Sequence, residues 1–230
     1  MEKAVLWDLY GTLIDIHTDE ESDRFWQRFA KKMRRIKAYD PTDLKQIYQK
    51  YCRLAEEEKE EIDVLPVFQA LFDIDEKQAS KVCRLFRRLS TSYIRLYPGV
   101  LKLLKKLKKQ GIALYVLSNA QASFTMPELE KLKIKRFFNG IALSSDYGIK
   151  KPNKNYYEQA LQTFGLNDQE IWMIGNDYEC DVKPARLLGL NSIFIESNLT
   201  PPCDQHSTMK NFQAKAIYKQ IVINSEPFGF

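Results

Sequence analysis

The sequence predicts an α/β fold, a Rossmann-like doubly wound parallel sheet with an inserted α-helical cap domain. Short apolar runs recur along the chain with helix-patterned segments between them, the signature of right-handed crossovers in a parallel sheet. One stretch, from about residue 20 to 96, breaks that alternation and shows helical periodicity instead. Polar residues stand directly after several of the apolar runs, where an open parallel sheet binds its ligands.

The first run, Ala4-Val5-Leu6-Trp7, is continuously apolar and suits a strand buried on both faces, which puts Asp8 at its carboxyl end. Helical patterning then occupies the insert. Asp40-Pro41-Thr42-Asp43 can start one of its helices, with Pro41 in the first turn, and Asp73-Ile74-Asp75-Glu76 separates two others. Tyr97-Pro98-Gly99-Val100 punctuates the return to the sheet. Hinges are therefore expected near His17-Thr18 and Tyr97-Pro98, with residues 1–17 and 97–230 forming the core and 18–96 the cap. Further strands are read at Ala113 to Leu117, Gly140 to Leu143, Ile171 to Ile174 and Ser192 to Ile195, and helices at Val100 to Gln110, Asn153 to Phe164 and Val182 to Leu188. The tail after Thr200 carries no legible pattern.

At 230 residues and 44% hydrophobic content the chain can bury a core without disulfides or metal staples. Its four cysteines show neither a CxxC pair nor metal-ligand spacing, and the sequence opens without a secretory apolar segment, so a reduced, cytoplasmic setting is expected. No apolar stretch approaches the ~18 residues of a membrane span. The net charge of +5 is a mild excess that suits a phosphate-bearing small molecule and does not demand a polyanion. Lys31 to Arg35 and Lys105 to Lys109 lack interleaved aromatics and read as solvated helix faces, so no nucleic-acid partner is expected.

Four polar groups follow the apolar runs: Asp8-Leu9-Tyr10-Gly11-Thr12, Ser118-Asn119, Lys151-Pro152, and Asn176-Asp177 with Asp181. Together they bring a carboxylate nucleophile, a hydroxyl donor, a cation and an acidic cluster to one sheet edge. A carboxylate can take a phosphoryl group as an acyl-phosphate that water later opens, splitting one hard displacement into two easier ones. The charge spread over that group needs countering, which Lys151 and a magnesium ion would do while Ser118 adds a fixed donor. Asp177 and Asp181, four apart, share a face if a helix has begun there. Gly11 frees the turn after the nucleophile to close around an anion. Taken singly, each residue has a plainer role: an aspartate after a strand is commonly a turn former, and Ser118-Asn119 or the Asp177 segment can serve as helix caps. Asp15 and His17 read as hinge residues, Tyr157 either lines the pocket or packs, and His206 supports no catalytic role.

The order and spacing of these motifs, from Val5 to about Ile195, resemble the haloacid dehalogenase-like hydrolase superfamily, with the helical insert in the position of its first cap. The resemblance implies that Asp8 attacks the substrate, with Thr12, Ser118 and Lys151 completing the catalytic set. It implies substrate contacts at Tyr10, Gly11, Asn119 and Tyr157, and Mg²⁺ held by Asp8, the Tyr10 carbonyl, Asp177 and Asp181. Two departures pull in different directions. Tyr10 stands where most phosphatases of the superfamily carry a second aspartate as general acid, and Asp-x-Tyr-Gly-Thr is the form of its metal-free 2-haloacid dehalogenases. The segment Asn176 to Asp181 is richer in carboxylates than a metal-free site needs. Either Asn176 or Asp177 occupies the ligand position; Asp177 is preferred because an ionised oxygen is the better magnesium ligand. A magnesium-dependent phosphatase of a small metabolite is the leading expectation, a haloacid dehalogenase the alternative, and a non-catalytic binding module on the same fold the third.

Overall fold

The computed structural model describes residues 2–57, 59–166 and 169–223; residues 224–230, assigned above to the core, lie outside them. The chain opens with β1 (Lys3–Trp7), whose end carries Asp8, and folds back as β2 (Ile14–Thr18). Four helices follow: α1 (Asp23–Met33), α2 (Pro41–Glu56), α3 (Val64–Phe72) and α4 (Glu76–Ser90). Asp40 caps α2 with Pro41 in its first turn, as its sequence predicts. Asp73 turns left-handed at the end of α3, and Asp75 with Gln78 forms a reciprocal capping box on α4.

Residues 91–96 differ from the helical periodicity expected of them. They form β3 (Thr91–Leu96), antiparallel to β2 in a separate two-stranded ribbon. The ribbon is half solvated, so β3 shows no apolar run and leaves little trace in hydropathy.

The alternation then resumes with α5 (Val100–Lys109), β4 (Ala113–Ser118), α6 (Ala122–Lys131), β5 (Gly140–Leu143), α7 (Ser144–Tyr147), α8 (Lys154–Phe164) and β6 (Glu170–Gly175). A π-helical turn, Tyr178–Val182, leads into α9 (Lys183–Leu187), followed by β7 (Asn191–Glu196), β8 (Met209–Lys210) and α10 (Ala214–Val222). The six-stranded sheet runs β5-β4-β1-β6-β7-β8, with every pairing parallel. The alternation of β1 feeds two cores. Val5 and Trp7 face the side covered by α5, α6 and α10, while Ala4 and Leu6 face α8 and α9. The lysines at 105, 106, 108 and 109 lie on the exposed face of α5, opposite buried Leu103, Leu104 and Leu107.

The helical insert has its own apolar cluster built on Phe25, Trp26, Phe29, Phe68 and Phe86, and Phe124 of α6 joins it from the sheet side. Polar bonds also tie the insert to the core. Asp63 accepts the Ser123 N–H at 2.8 Å, and Glu61 accepts the Ser144 hydroxyl at 3.2 Å. Among the described residues no helix is long and apolar enough to cross a membrane.

Candidate active site

Asp8 lies between the ends of the two strands that flank β1. Its N–H donates to Ile174 O of β6, and its side chain faces Ser118 at the end of β4. Ser118 Oγ donates to Asp8 Oδ1 at 3.0 Å, and Lys151 Nζ donates to the same oxygen at 2.9 Å. Lys151 is 2% exposed and also reaches Asp181 Oδ1 at 2.5 Å and the Leu117 carbonyl at 2.9 Å, so all three ammonium protons are used. Burial alone would lower its pKa, but the charges of Asp181 and Asp8 outweigh that and raise it, which keeps the cation intact. The backbone of Lys151 is clasped by Asn119, whose Oδ1 accepts its N–H at 2.7 Å and whose Nδ2 donates to its carbonyl at 2.9 Å. Asn119 faces the cavity, yet both ends of its amide are committed to placing the lysine.

Thr12 Oγ1 stands 3.1 Å from Asp8 Oδ2 and 3.1 Å from Asn176 Oδ1. A hydroxyl has one proton to give, so one of these two buried oxygens lacks a donor at any moment. Carboxylates around the cavity (Asp8, Asp177, Asp181) outnumber its one cation, Lys151. A hard divalent cation suits both features, because magnesium takes oxygen donors, needs few carboxylates and keeps several waters. Asp8, the Tyr10 carbonyl, Asn176 and Asp177 supply donors of that kind. Among the described residues no group of three His, Cys, Asp or Glu side chains is arranged to hold a metal, so such an ion would rely on amide, carbonyl and water oxygens as well.

Asp177 and Asp181 belong to one turn but do different things. Asp177 caps the π-helical turn, its Oδ1 accepting the Cys180 N–H at 3.0 Å. Asp181 is 1% exposed with both oxygens engaged, Oδ1 by Lys151 and Oδ2 by the Asp177 N–H at 3.0 Å. Burial pushes the Asp181 pKa up and Lys151 pulls it back. Its expected place among the direct metal ligands thus competes with its ion pair to Lys151.

Two expected substrate contacts stand elsewhere. The Tyr157 ring is fully buried and absent from the cavity wall, and its hydroxyl donates to the Cys180 carbonyl at 2.6 Å. It braces the turn that carries Asp181, because a buried phenol must find an acceptor. Gly11, at φ 86°, spends its N–H on the Ile14 carbonyl, and a side chain there would overlap the Asn176 amide. Its role is close approach of two loops, with no free donor left for an anion.

Tyr10 is among the residues lining the cavity, and among the described residues its hydroxyl bonds to α6 and not to Asp8. That hydroxyl donates to Glu128 Oε2 at 2.5 Å and lies 2.9 Å from Thr125 Oγ1, both on α6. Burial first, then the Glu128 charge, drives the phenol pKa well upward. Glu128 in turn accepts Arg87 Nε of α4 at 2.7 Å. No motif in the sequence marks Thr125, Glu128 or Arg87. Pro127 interrupts the helical signal of α6, and a buried glutamate looks in sequence like a solvated one. The cavity itself is about 170 Å³, and Leu199 and Pro201 from the loop after β7 are among the residues that line it.

A doubly wound α/β sheet with an aspartate, a serine and a lysine converging at its carboxyl edge defines a hydrolase of the Rossmann-like class. The chain belongs to the haloacid dehalogenase-like hydrolase family, whose pattern matches residues 2–189. Among curated proteins it is 28% identical over 110 residues to a glyceraldehyde 3-phosphate phosphatase of Methanocaldococcus jannaschii, covering 48% of each chain. It is 23% identical over 223 residues to (S)-2-haloacid dehalogenase 4A of Burkholderia cepacia, covering 91% of this chain and 89% of that one. The matched region spans about half the length of the phosphatase relative. Among solved structures, the magnesium-bound HAD-hydrolase YfnB of Bacillus subtilis superposes with a TM-score of 0.58 at 21% identity, covering 96% of this chain and 99% of that one, a likeness of fold.

Proposed function

We propose that the chain is a magnesium-dependent phosphatase acting on a small phosphorylated metabolite through a covalent intermediate on Asp8. The observation that carries this reading is the convergence of Ser118 Oγ and Lys151 Nζ on one oxygen of Asp8, beside a surplus of carboxylates. A cavity of about 170 Å³ favours a small substrate. Residues 18–96 act in this proposal as the cap, hinged where β2 and β3 pair.

Asp8 attacks phosphorus, so that an Asp8 O–P bond forms as the bond to the leaving oxygen breaks. Water then attacks the same phosphorus, releasing phosphate and restoring the carboxylate. Lys151 and Ser118 donate to the transferring group and offset its charge. Asp181 keeps Lys151 charged and aimed, and Thr12 fixes the second oxygen of Asp8. Magnesium, held by Asp8, the Tyr10 carbonyl and Asn176 or Asp177, would supply further neutralisation of the phosphoryl oxygens. Tyr10, its proton bound toward Glu128, gives the leaving group no help, so substrates with good leaving groups are favoured.

The same Tyr10 favours a second reading, a 2-haloacid dehalogenase, because a halide departs without a proton. The extended similarity to the Burkholderia dehalogenase is compatible with it. One experiment separates the two: phosphate esters and 2-haloacids are offered with magnesium and with a chelator. Phosphate release that the chelator abolishes and magnesium restores is expected. Halide release undiminished by the chelator would overturn the phosphatase.

A further inference from the structure

A second recess, of about 460 Å³, lies where α4 gives way to β3 and packs against α6. It shares no lining residue with the catalytic cavity, yet has more than twice its 170 Å³. Buried Phe124 with half-buried Pro127 and Ile94 form its apolar floor, and the exposed Arg84, Arg88 and Lys131 form its charged rim, as their burial divides the lining. These three cations are exposed and make no ion pair among the described residues. The carboxylate in the wall, Glu128, is already spent, one oxygen on Arg87 and the other on Tyr10. The recess therefore offers three uncompensated positive charges over an apolar surface, the composition of a ligand site.

We propose that this recess binds a small organic anion with a flat apolar body, and that its occupancy is relayed to the nucleophile loop through Arg87, Glu128 and Tyr10. The apolar floor takes the flat body and the rim cations take the charge. Arg87 is the joint of the relay. Its guanidinium lies 5.0 Å from the Phe124 ring centroid and 5.8 Å from that of Tyr10. An anion seated in the recess competes with Glu128 for Arg87, and a loosened Glu128 loosens its hold on the Tyr10 hydroxyl. Tyr10 is two residues from Asp8 and lines the catalytic cavity, so the loop bearing the nucleophile responds. By linkage, any ligand that shifts this loop alters affinity in the recess by the same factor.

The test uses the full chain and reads neither turnover nor metal binding, so it stands apart from the phosphatase proposal. Calorimetry with 1-naphthalenesulfonate measures binding, with inorganic sulfate and 2-naphthol as probes of the charge alone and of the apolar body alone. The sulfonate is expected to bind more tightly than either half, and Arg84→Ala/Arg88→Ala is expected to weaken it by roughly ten-fold or more through loss of two rim charges. Those side chains are exposed, so the variant keeps its fold. Hydrogen exchange of the amides of residues 9–14 reads the relay. It should change on adding the sulfonate to the wild-type chain and stay unchanged in Glu128→Gln, with Arg87→Lys as a second break in the chain of contacts. No binding, binding indifferent to the double substitution, or an unaltered exchange pattern in the wild-type loop would each overturn the proposal.

Discussion

Tyr10 Oη donates a 2.5 Å hydrogen bond to Glu128 Oε2, committing the phenol proton of the Asp8-to-Thr12 loop to the junction with α6. The position two residues after the nucleophile forms a clamp between loop and helix, with Arg87 of the insert as its third member.

Tyr10→Phe removes that clamp and leaves Glu128 Oε2 without its donor, which should cost about 1–3 kcal/mol of stability. Turnover should fall by less than ~10-fold, because removal of a true general acid typically costs 10²–10⁴-fold. The shape of the pH-rate profile should persist, since the wild-type phenol keeps its proton far above neutrality. Chemical denaturation and a pH-rate series check both; a loss of several hundred-fold would make the hydroxyl catalytic.

Without a proton donor, Asp8 should displace p-nitrophenolate far more readily than an alkyl alkoxide, giving a steep dependence of rate on leaving-group pKa. Tyr10→Asp should flatten that slope and raise turnover on alkyl phosphates. A matched set of aryl and alkyl phosphates tests both proteins, and a flat slope in the wild type with chemistry rate-limiting would mean another residue supplies the proton.

Asp8→Asn preserves volume and removes the attacking charge. Activity should drop by roughly 10³-fold or more while the circular dichroism spectrum is retained. Near-normal turnover would rule out the covalent route.

Asp15 of β2 ties the ribbon and the loop after β7 together. It accepts Arg95 Nε at 2.9 Å, Tyr93 Oη at 3.2 Å and Asn198 Nδ2 at 3.0 Å. Burial opposes its ionisation, but the hydrogen bonds from Asn198, Arg95 and Tyr93 outweigh this and hold its pKa below the ordinary carboxylate value. A folded-state pKa below the unfolded one means its contribution is complete above the unfolded value, about 3.9, and fades as pH falls through the folded value. Thermal unfolding of Asp15→Asn should therefore show a deficit at pH 7 that narrows on acidification through that range. A deficit independent of pH would assign the effect to packing.

Five strands of the large sheet, the start of α2, the break between α3 and α4, and the motif order around Asp8 were legible in sequence because each rests on local rules: apolar runs, cap side chains, and loops at strand ends; the two-residue β8 lies in the tail, where no apolar run marks it. The same rules failed for β3, whose half-exposed ribbon has no apolar run, and for α6, where Pro127 masks the helix. Residue types and motif order named Asp8, Ser118 and Lys151, and the fold brings Ser118 Oγ and Lys151 Nζ within 3.0 Å of Asp8 Oδ1. Tertiary structure alone decided what their neighbours do. It buried Tyr157 behind the Asp181 turn, committed Asp181 to Lys151, and joined Tyr10 to Glu128 across 118 residues of chain. A side chain's partner at that separation is set by how helices pack on the sheet, and no local pattern of hydropathy or capping encodes it.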